Sequence, residues 1–450
     1  MPGPVETYRG AVPAWECDHF GHMNVQFYMA RVSDATASLM GAISLTRERM
    51  RNERLGFAAV RQEIDYRREV LAGDVLAMRS AMVAVSGRKL ILRHALFDAA
   101  TGEVTAAVRG VGVLIDLEAR KSVAVPADVA AAVEKMRVAD DALTPGGAGF
   151  FAPTQGWIAA QRDAVDAWEC DRMGHLNTQF YAPRAAEAEA HLAAALGLTP
   201  ARQRSQGLAL AARQHRFRFR RELRAGQAVA TATGISRIDG DTLVLESRMQ
   251  NADSGELAAT VETILALTDA EGRPRPWPGD VREAAGRLQA DFTAEPMQPP
   301  ATPAPPDAPG PGMIETSRGV VQSWETTHQG IAPPRFYLAS FSAGAQRLLA
   351  LGGLDPASMK RQRIGAAALD YRVRYGRPLR AGETVVVHSG ALAITERNWR
   401  FGHVMTAADG GEVLASADVL ATLFDLDARK AMPLPADMRA RLAPYLAAQT

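Results

Sequence analysis

Asp18, His22 and Asn24 lie within one short stretch of the chain, and Asp171, His175 and Asn177 repeat them at the same spacing. A carboxylate can take a proton from water, or attack a carbonyl itself, without a cofactor. The oxyanion raised by either attack needs donors, and the N–H groups and positive dipole end of a helix N-terminus supply them. Asn24 is a good N-cap residue, so a helix is expected to begin there, six residues after Asp18, with both groups facing one pocket. Asn177 holds that place after Asp171. His22 and His175 are candidates to hold the carboxylate or the reacting carbonyl, a role ranked below that of the Asp. Gly21 and Gly174 let the intervening loop turn tightly. The bland alternatives are that each Asn only caps its helix and that Asp-x-x-Gly-His is a surface loop.

Repetition weighs against the bland alternative for the loop. Residues 15–28 read WECDHFGHMNVQFY and residues 168–181 read WECDRMGHLNTQFY, identical at ten of fourteen positions. A third copy, residues 324–337, reads WETTHQGIAPPRFY, with Thr327, Ile331 and Pro333 in the three chemical columns. A shift of 153 residues carries the first copy onto the second, and 309 carries it onto the third. The same shifts align Tyr66 with Phe219 and Tyr375, Gly73 with Gly226 and Gly382, and Glu103 with Glu256 and Glu412. A period this long means three copies of one domain rather than a solenoid of thin repeats. The Trp and Tyr columns persist where the Asp is gone and so read as core. His94, His191, His215, His388 and His403 read as sharing no column and as incidental.

The elements that must position these residues recur in the same order. A strand-like stretch leads into the motif, and an apolar stripe then follows at helical spacing: Tyr28, Val32, Ala35 and Leu39. Its counterparts are Tyr181, Ala185, Ala188 and Leu192, then Tyr337, Phe341, Gly344 and Leu348. Four strand-like runs follow, near 57–70, 75–86, 89–99 and 104–117, joined by Gly-containing hairpin signals. Short connections imply antiparallel strands, and one long helix covers the apolar face of a curled sheet, an α+β class. Units are expected at 1–137, 157–290 and 313–450, with linkers at 138–156 and 291–312. The second linker is proline-rich and expected to be extended, and the first two units are expected to be joined more tightly than the third is to either.

Composition excludes several classes. With 450 residues, 47% hydrophobic, 22% charged and net charge +1, the chain reads as globular, with no field favouring nucleic acid or an anionic membrane. No apolar run reaches membrane-spanning length and no signal core opens the chain, so a cytoplasmic protein is expected. Cys17 and Cys170 share one column and read as buried thiols rather than a disulfide or metal pair. Paired basic residues (Arg67-Arg68, Arg88-Lys89, Arg120-Lys121 and Arg220-Arg221) read as solvated strand ends.

The pattern D-x-x-G-H-x-N-x-x-x-Y ahead of a helix and four antiparallel strands resembles the hotdog-fold acyl-CoA thioesterases of the 4-hydroxybenzoyl-CoA thioesterase type. The resemblance covers all three units as fold and the first two as site. It implies hydrolysis of a coenzyme A or acyl-carrier thioester, with Asp18 and Asp171 as general base or nucleophile. It implies no metal and no cofactor beyond the coenzyme A of the substrate. The alternative is a non-catalytic acyl-CoA or acyl-carrier binding scaffold; a dehydratase would need a histidine-aspartate arrangement that is not found. The resemblance further implies that domains pair edge to edge with sites in the seam. Units one and two are expected to pair so, leaving unit three to form a homodimer with unit three of another chain.

Overall fold

The computed structural model describes residues 3–138, 153–289 and 306–447, so most of both expected linkers lies outside the described residues. Unit one runs β1 (Val5–Ala11), α1 (Val25–Ala42), α2 (Arg47–Asn52), β2 (Leu55–Tyr66), β3 (Val75–Ser86), β4 (Lys89–Asp98), β5 (Val104–Asp116), the short β6 (Lys121–Ser122) and α3 (Ala127–Met136). Unit two repeats it as β7 (Trp157–Ala164), α4 (Tyr181–Ala195), α5 (Pro200–Gln206), β8 (Leu208–Phe219), β9 (Ala228–Asp239), β10 (Thr242–Asn251), β11 (Leu257–Asp269), β12 (Pro274–Arg275) and α6 (Gly279–Arg287). Unit three runs β13 (Ile314–Val320), α7 (Pro334–Leu351), α8 (Pro356–Gln362), β14 (Ile364–Tyr375), β15 (Thr384–Ile394), β16 (Asn398–Ala407), β17 (Val413–Asp425), β18 (Lys430–Met432) and α9 (Ala436–Leu442).

Within each unit the long strands are antiparallel, in the order β2-β5-β4-β3-β1 in unit one, repeated as β8-β11-β10-β9-β7 and β14-β17-β16-β15-β13. The helix stripes are buried against these sheets: Tyr28, Val32, Ala35 and Leu39 in α1, and their counterparts in α4 and α7. One extra residue bulges from the same place in three related strands, Val60 in β2, Arg213 in β8 and Leu369 in β14. A bulge bends its strand and raises the local twist, which curls each sheet around its helix.

Units one and two meet edge to edge, but unit three does not stand apart from them as expected. Units one and two meet at β1 and β7, where Arg9 faces Arg162 as a single residue pair. Units two and three are joined by a five-residue ladder between β8 and β14. Unit three is therefore partnered within the chain, and the premise for a dimer through it fails. The ladder is built from the strand adjoining the site in each unit, and Phe217, Tyr371 and Val373 on it are buried.

Buried charge and an apolar cluster line the contact between units one and two. Arg184, 2% exposed, holds Asp163 (Nη2–Oδ2 2.9 Å) and Glu169 (Nη2–Oε2 2.8 Å), and donates to the Phe180 carbonyl at 2.9 Å. Arg31 and Glu16 repeat that pair in unit one. His191 is buried in the same seam, with Nε2 2.9 Å from the Gly10 carbonyl oxygen. Burial, and then the nearby Asp163 carboxylate, push the Glu187 pKa up to about 8. An acid whose folded pKa is raised contributes most below its unfolded pKa and loses that contribution as pH rises through the folded value. Melting temperature is therefore expected to fall between about pH 5 and 8, and Glu187→Gln should flatten that slope in a thermal-melt series.

Candidate active site

Two backbone bonds shape each motif loop. The Asp18 amide donates to the His22 carbonyl at 2.8 Å, and the Gly21 amide donates to the Asp18 carbonyl at 3.0 Å. Asp18 Oδ1 accepts from the amides of Phe20 at 2.9 Å and His22 at 3.1 Å. Unit two matches: Asp171 Oδ1 accepts from Met173 at 2.8 Å and His175 at 3.0 Å. Gly21 at φ 81° and Gly174 at φ 76° occupy the left-handed region that the turn requires. Unit three keeps the loop with Thr327, whose Oγ1 accepts from Gln329 at 3.3 Å. The carboxylate is therefore not needed to form the turn.

One oxygen of each carboxylate is used by the turn, and among the described residues Oδ2 of each accepts no hydrogen bond. Partial burial works to raise the Asp18 pKa, but the His22 and Phe20 amides and the two nearby imidazoles outweigh it, and the group is held below its usual value. It is ionised at neutral pH. The structure brings Asp and His of each motif together through the His backbone, not its ring. His22 Nε2 faces Glu69 Oε2 at 3.4 Å, while His175 Nε2 lies 2.9 Å from Glu222 Oε2 and 2.9 Å from Arg224 Nη2. Asn24 and Asn177 cap their helical turns, each accepting from the amide two residues on at 3.2 Å. Capping is the role the structure gives them.

Both neighbouring units reach the Asp171 loop: Arg47 of unit one lies against Gly226, and unit three contributes the contacts that follow. A methyl at Gly365 would meet Met173 Sδ at 3.0 Å, and the Arg335 guanidinium lies 4.9 Å from the Phe180 ring centroid. Gln329 Nε2 donates to the Leu208 carbonyl at 3.2 Å. Beside the Asp18 loop, Arg204 of unit two holds Asp74 (Nη2–Oδ1 2.8 Å), and Phe20 is 71% exposed.

Two polar chains were missed by sequence reasoning. Glu189 Oε1 lies 2.6 Å from His215 Nε2, and His215 Nδ1 lies 2.9 Å from the Tyr375 hydroxyl across the β8–β14 seam. Donation from Nε2–H to Glu189 and from the Tyr375 hydroxyl to Nδ1 satisfies all three groups. Its sequence signal was weak, because the columns of Glu189 and His215 hold other residues in the other units. The second chain corrects the reading of the histidines: His94 and His403 do share a column, 309 residues apart. Ser80 lies 2.6 Å from His94 Nδ1, and Ser389 lies 2.7 Å from His403 Nδ1, each Ser backed by a Thr. Burial pushes both imidazoles down to about 3, so they are neutral links in the core. The Trp column is also corrected: Trp15, Trp168 and Trp324 are exposed, while Tyr28, Tyr181 and Tyr337 are buried. Cys17 and Cys170 are free and half-buried. Arg67 pairs with Asp65 and Arg68 with Glu103.

Among the described residues no helix is long and apolar enough to cross a membrane. The thioesterase-like superfamily matches the chain three times, over residues 12–133, 165–285 and 333–442. No curated protein matches by sequence. Among solved structures, one described as an oleoyl thioesterase from Lactobacillus plantarum is 18% identical, covering 60% of this chain and 98% of its own, with TM-score 0.46. A 12:0-ACP thioesterase from Umbellularia californica is 12% identical over 60% of this chain and 94% of its own, with TM-score 0.47. A Staphylococcus aureus protein solved in complex with CoA is 18% identical over 34% of this chain and 98% of its own, with TM-score 0.29.

Proposed function

The chain belongs to the thioesterase-like superfamily, three hotdog units in tandem, and from that premise we propose that it hydrolyses acyl thioesters of coenzyme A or an acyl carrier at Asp18 and Asp171. The observation that carries this reading is the difference between loops of one shape. Thr327 forms the same turn without a charge, so the carboxylates of units one and two serve something other than the turn. Each Asp has an oxygen that the turn leaves unused and lies just before a helical N-terminus.

In this mechanism the free carboxylate oxygen takes a proton from water as that water attacks the thioester carbonyl. Alternatively the oxygen attacks the carbonyl itself, expelling the thiolate and forming an anhydride that water then hydrolyses to the acid and the free carboxylate. The N–H groups and dipole of the first helical turn stabilise the developing oxyanion. The thiol then leaves, carrying a proton, and the acid is released. His22 and His175, turned toward Glu69 and Glu222, position the loop through their backbone amides rather than acting on the substrate with their rings. A carboxylate base needs no metal, and coenzyme A enters only as part of the substrate.

The test is an acyl-CoA panel with free-thiol detection. The expected result is thiol release on at least one acyl group. Binding of the same panel without release would make the chain an acyl-CoA binding scaffold instead.

A further inference from the structure

The motif loop of unit three has the shape of the other two without their chemistry, and it touches both of the other units. Gln329 on it donates to the Leu208 carbonyl of unit two at 3.2 Å. The residue before it, His328, lies against Gly73 of unit one: a methyl there would fall 2.6 Å from His328 Cε1 and 2.8 Å from Nδ1. The short turns that open the two loops, Ala14–Glu16 and Ser323–Glu325, lie side by side. Among the described residues only this loop makes such a contact. Gly226 in the column of Gly73 meets Arg47 instead, and a methyl at Gly382 would meet nothing within 4 Å.

Gly73 belongs to the turn that carries the Asp18 loop. The Ala72 amide donates to the Gly21 carbonyl at 3.3 Å, the Met23 amide donates to the Val70 carbonyl at 2.8 Å, and Leu71 bridges His22. A shift of this turn therefore moves the loop whose amides hold Asp18. Asp74 closes the turn by accepting from the Leu71 amide at 2.9 Å with Oδ2, while its Oδ1 takes Arg204 of α5 at 2.8 Å. Arg204 Nη1 also donates to the Ala72 carbonyl at 3.4 Å. Helix α5 ends two residues before Leu208, so the segment that Gln329 holds is the one that presents Arg204. Packing against the turn pushes the His328 imidazole below its ordinary pKa; Arg204 adds to this and Asp74 opposes it. A neutral ring thus sits beside the Arg204–Asp74 pair.

We infer that the degenerate loop of unit three is a positioning device for the first site: His328 and Gln329 clamp the turn at Gly73 and the Arg204 segment together, and so fix the Asp18 loop. Unit three pairs strands with unit two alone, yet through this loop it acts on unit one. His328 works through the turn and takes no part in the chemistry. The consequence for Asp18 rests on the hydrolytic reading; the clamp itself does not.

Asp171→Asn isolates the first site for assay and Asp18→Asn the second. His328→Ala is expected to lower kcat of the first by about tenfold or more, with KM little changed, and to leave the second as it was. His328→Gln, which keeps a neutral planar group to lie on Gly73, should restore most of that rate. The His328 side chain reaches the surface, so the fold is spared. Amide hydrogen exchange tests the clamp without substrate: in His328→Ala it should quicken at residues 18–23 and 70–74 and not at 171–176. Exchange at 18–23 and 70–74 as slow as in wild type overturns the clamp. A first site that keeps its full rate in His328→Ala, or an equal loss at both sites, overturns its positioning role. Quickened exchange in a chain that hydrolyses nothing overturns the functional reading and leaves the clamp standing.

Discussion

Arg184→Ala is expected to cost the folded chain about 3–5 kcal/mol, the usual loss when one partner of a buried ion pair is removed. Arg184 is the cation that Asp163 and Glu169 share, with Nη2 2.9 and 2.8 Å from them, and its Nη1 also donates to the Phe180 carbonyl. Truncation strands two mostly buried carboxylates and a carbonyl acceptor. Burial already pushes the Asp163 pKa up to about 6 with the arginine in place, so the seam has little capacity for uncompensated negative charge. Urea unfolding of wild type and variant measures the loss. Adding Asp163→Asn and Glu169→Gln to Arg184→Ala removes the stranded charges and should recover a large part of it. A loss below about 1 kcal/mol in the single variant, the range of an exposed pair, would show that the seam is hydrated.

Much of the fold was legible because the chain states it three times. The stripe from Tyr28 to Leu39 and its two echoes could be read as one buried helical face, and two of the hairpin signals mark the β3–β4 and β4–β5 turns. The third, Ala72-Gly73-Asp74, joins β2 to β3, which do not pair, since β2 lies against β5. The seams were not legible. Which edges join depends on residues distant in sequence, such as Arg216 finding Asp370 and His215 finding Tyr375. Read locally, β2, β8 and β14 are equivalent edges, so the pairing of units one and two could be expected but the joining of unit three to unit two could not. Repetition also misled over burial: Trp15, Trp168 and Trp324 recur but lie at the surface, so recurrence alone does not mark core. The His94 column was missed because unit two interrupts it with Ser247, which bonds Thr233 in place of an imidazole. At the site, the Asp, His and Asn positions were legible, as was the capping alternative for Asn. The partners of His22 and His175 were not, because Glu69 and Glu222 arrive from turns well downstream in each unit.

Changing both Asp18 and Asp171 to Asn is expected to lower turnover by about 10²–10⁴-fold, the usual worth of a positioned acid or base. The substitution keeps the oxygen that accepts the loop amides, and unit three shows that the turn forms without a carboxylate, so the loop should persist. Either single change should leave a substantial share, because two loops carry the carboxylate. The most direct test of the hydrolytic reading is free-thiol release from the best acyl-CoA substrate, wild type against the double variant, at matched melting temperature. The account predicts rapid release by wild type and a fall of at least about 10²-fold in the double variant. A folded double variant that releases thiol at a rate near wild type would contradict it.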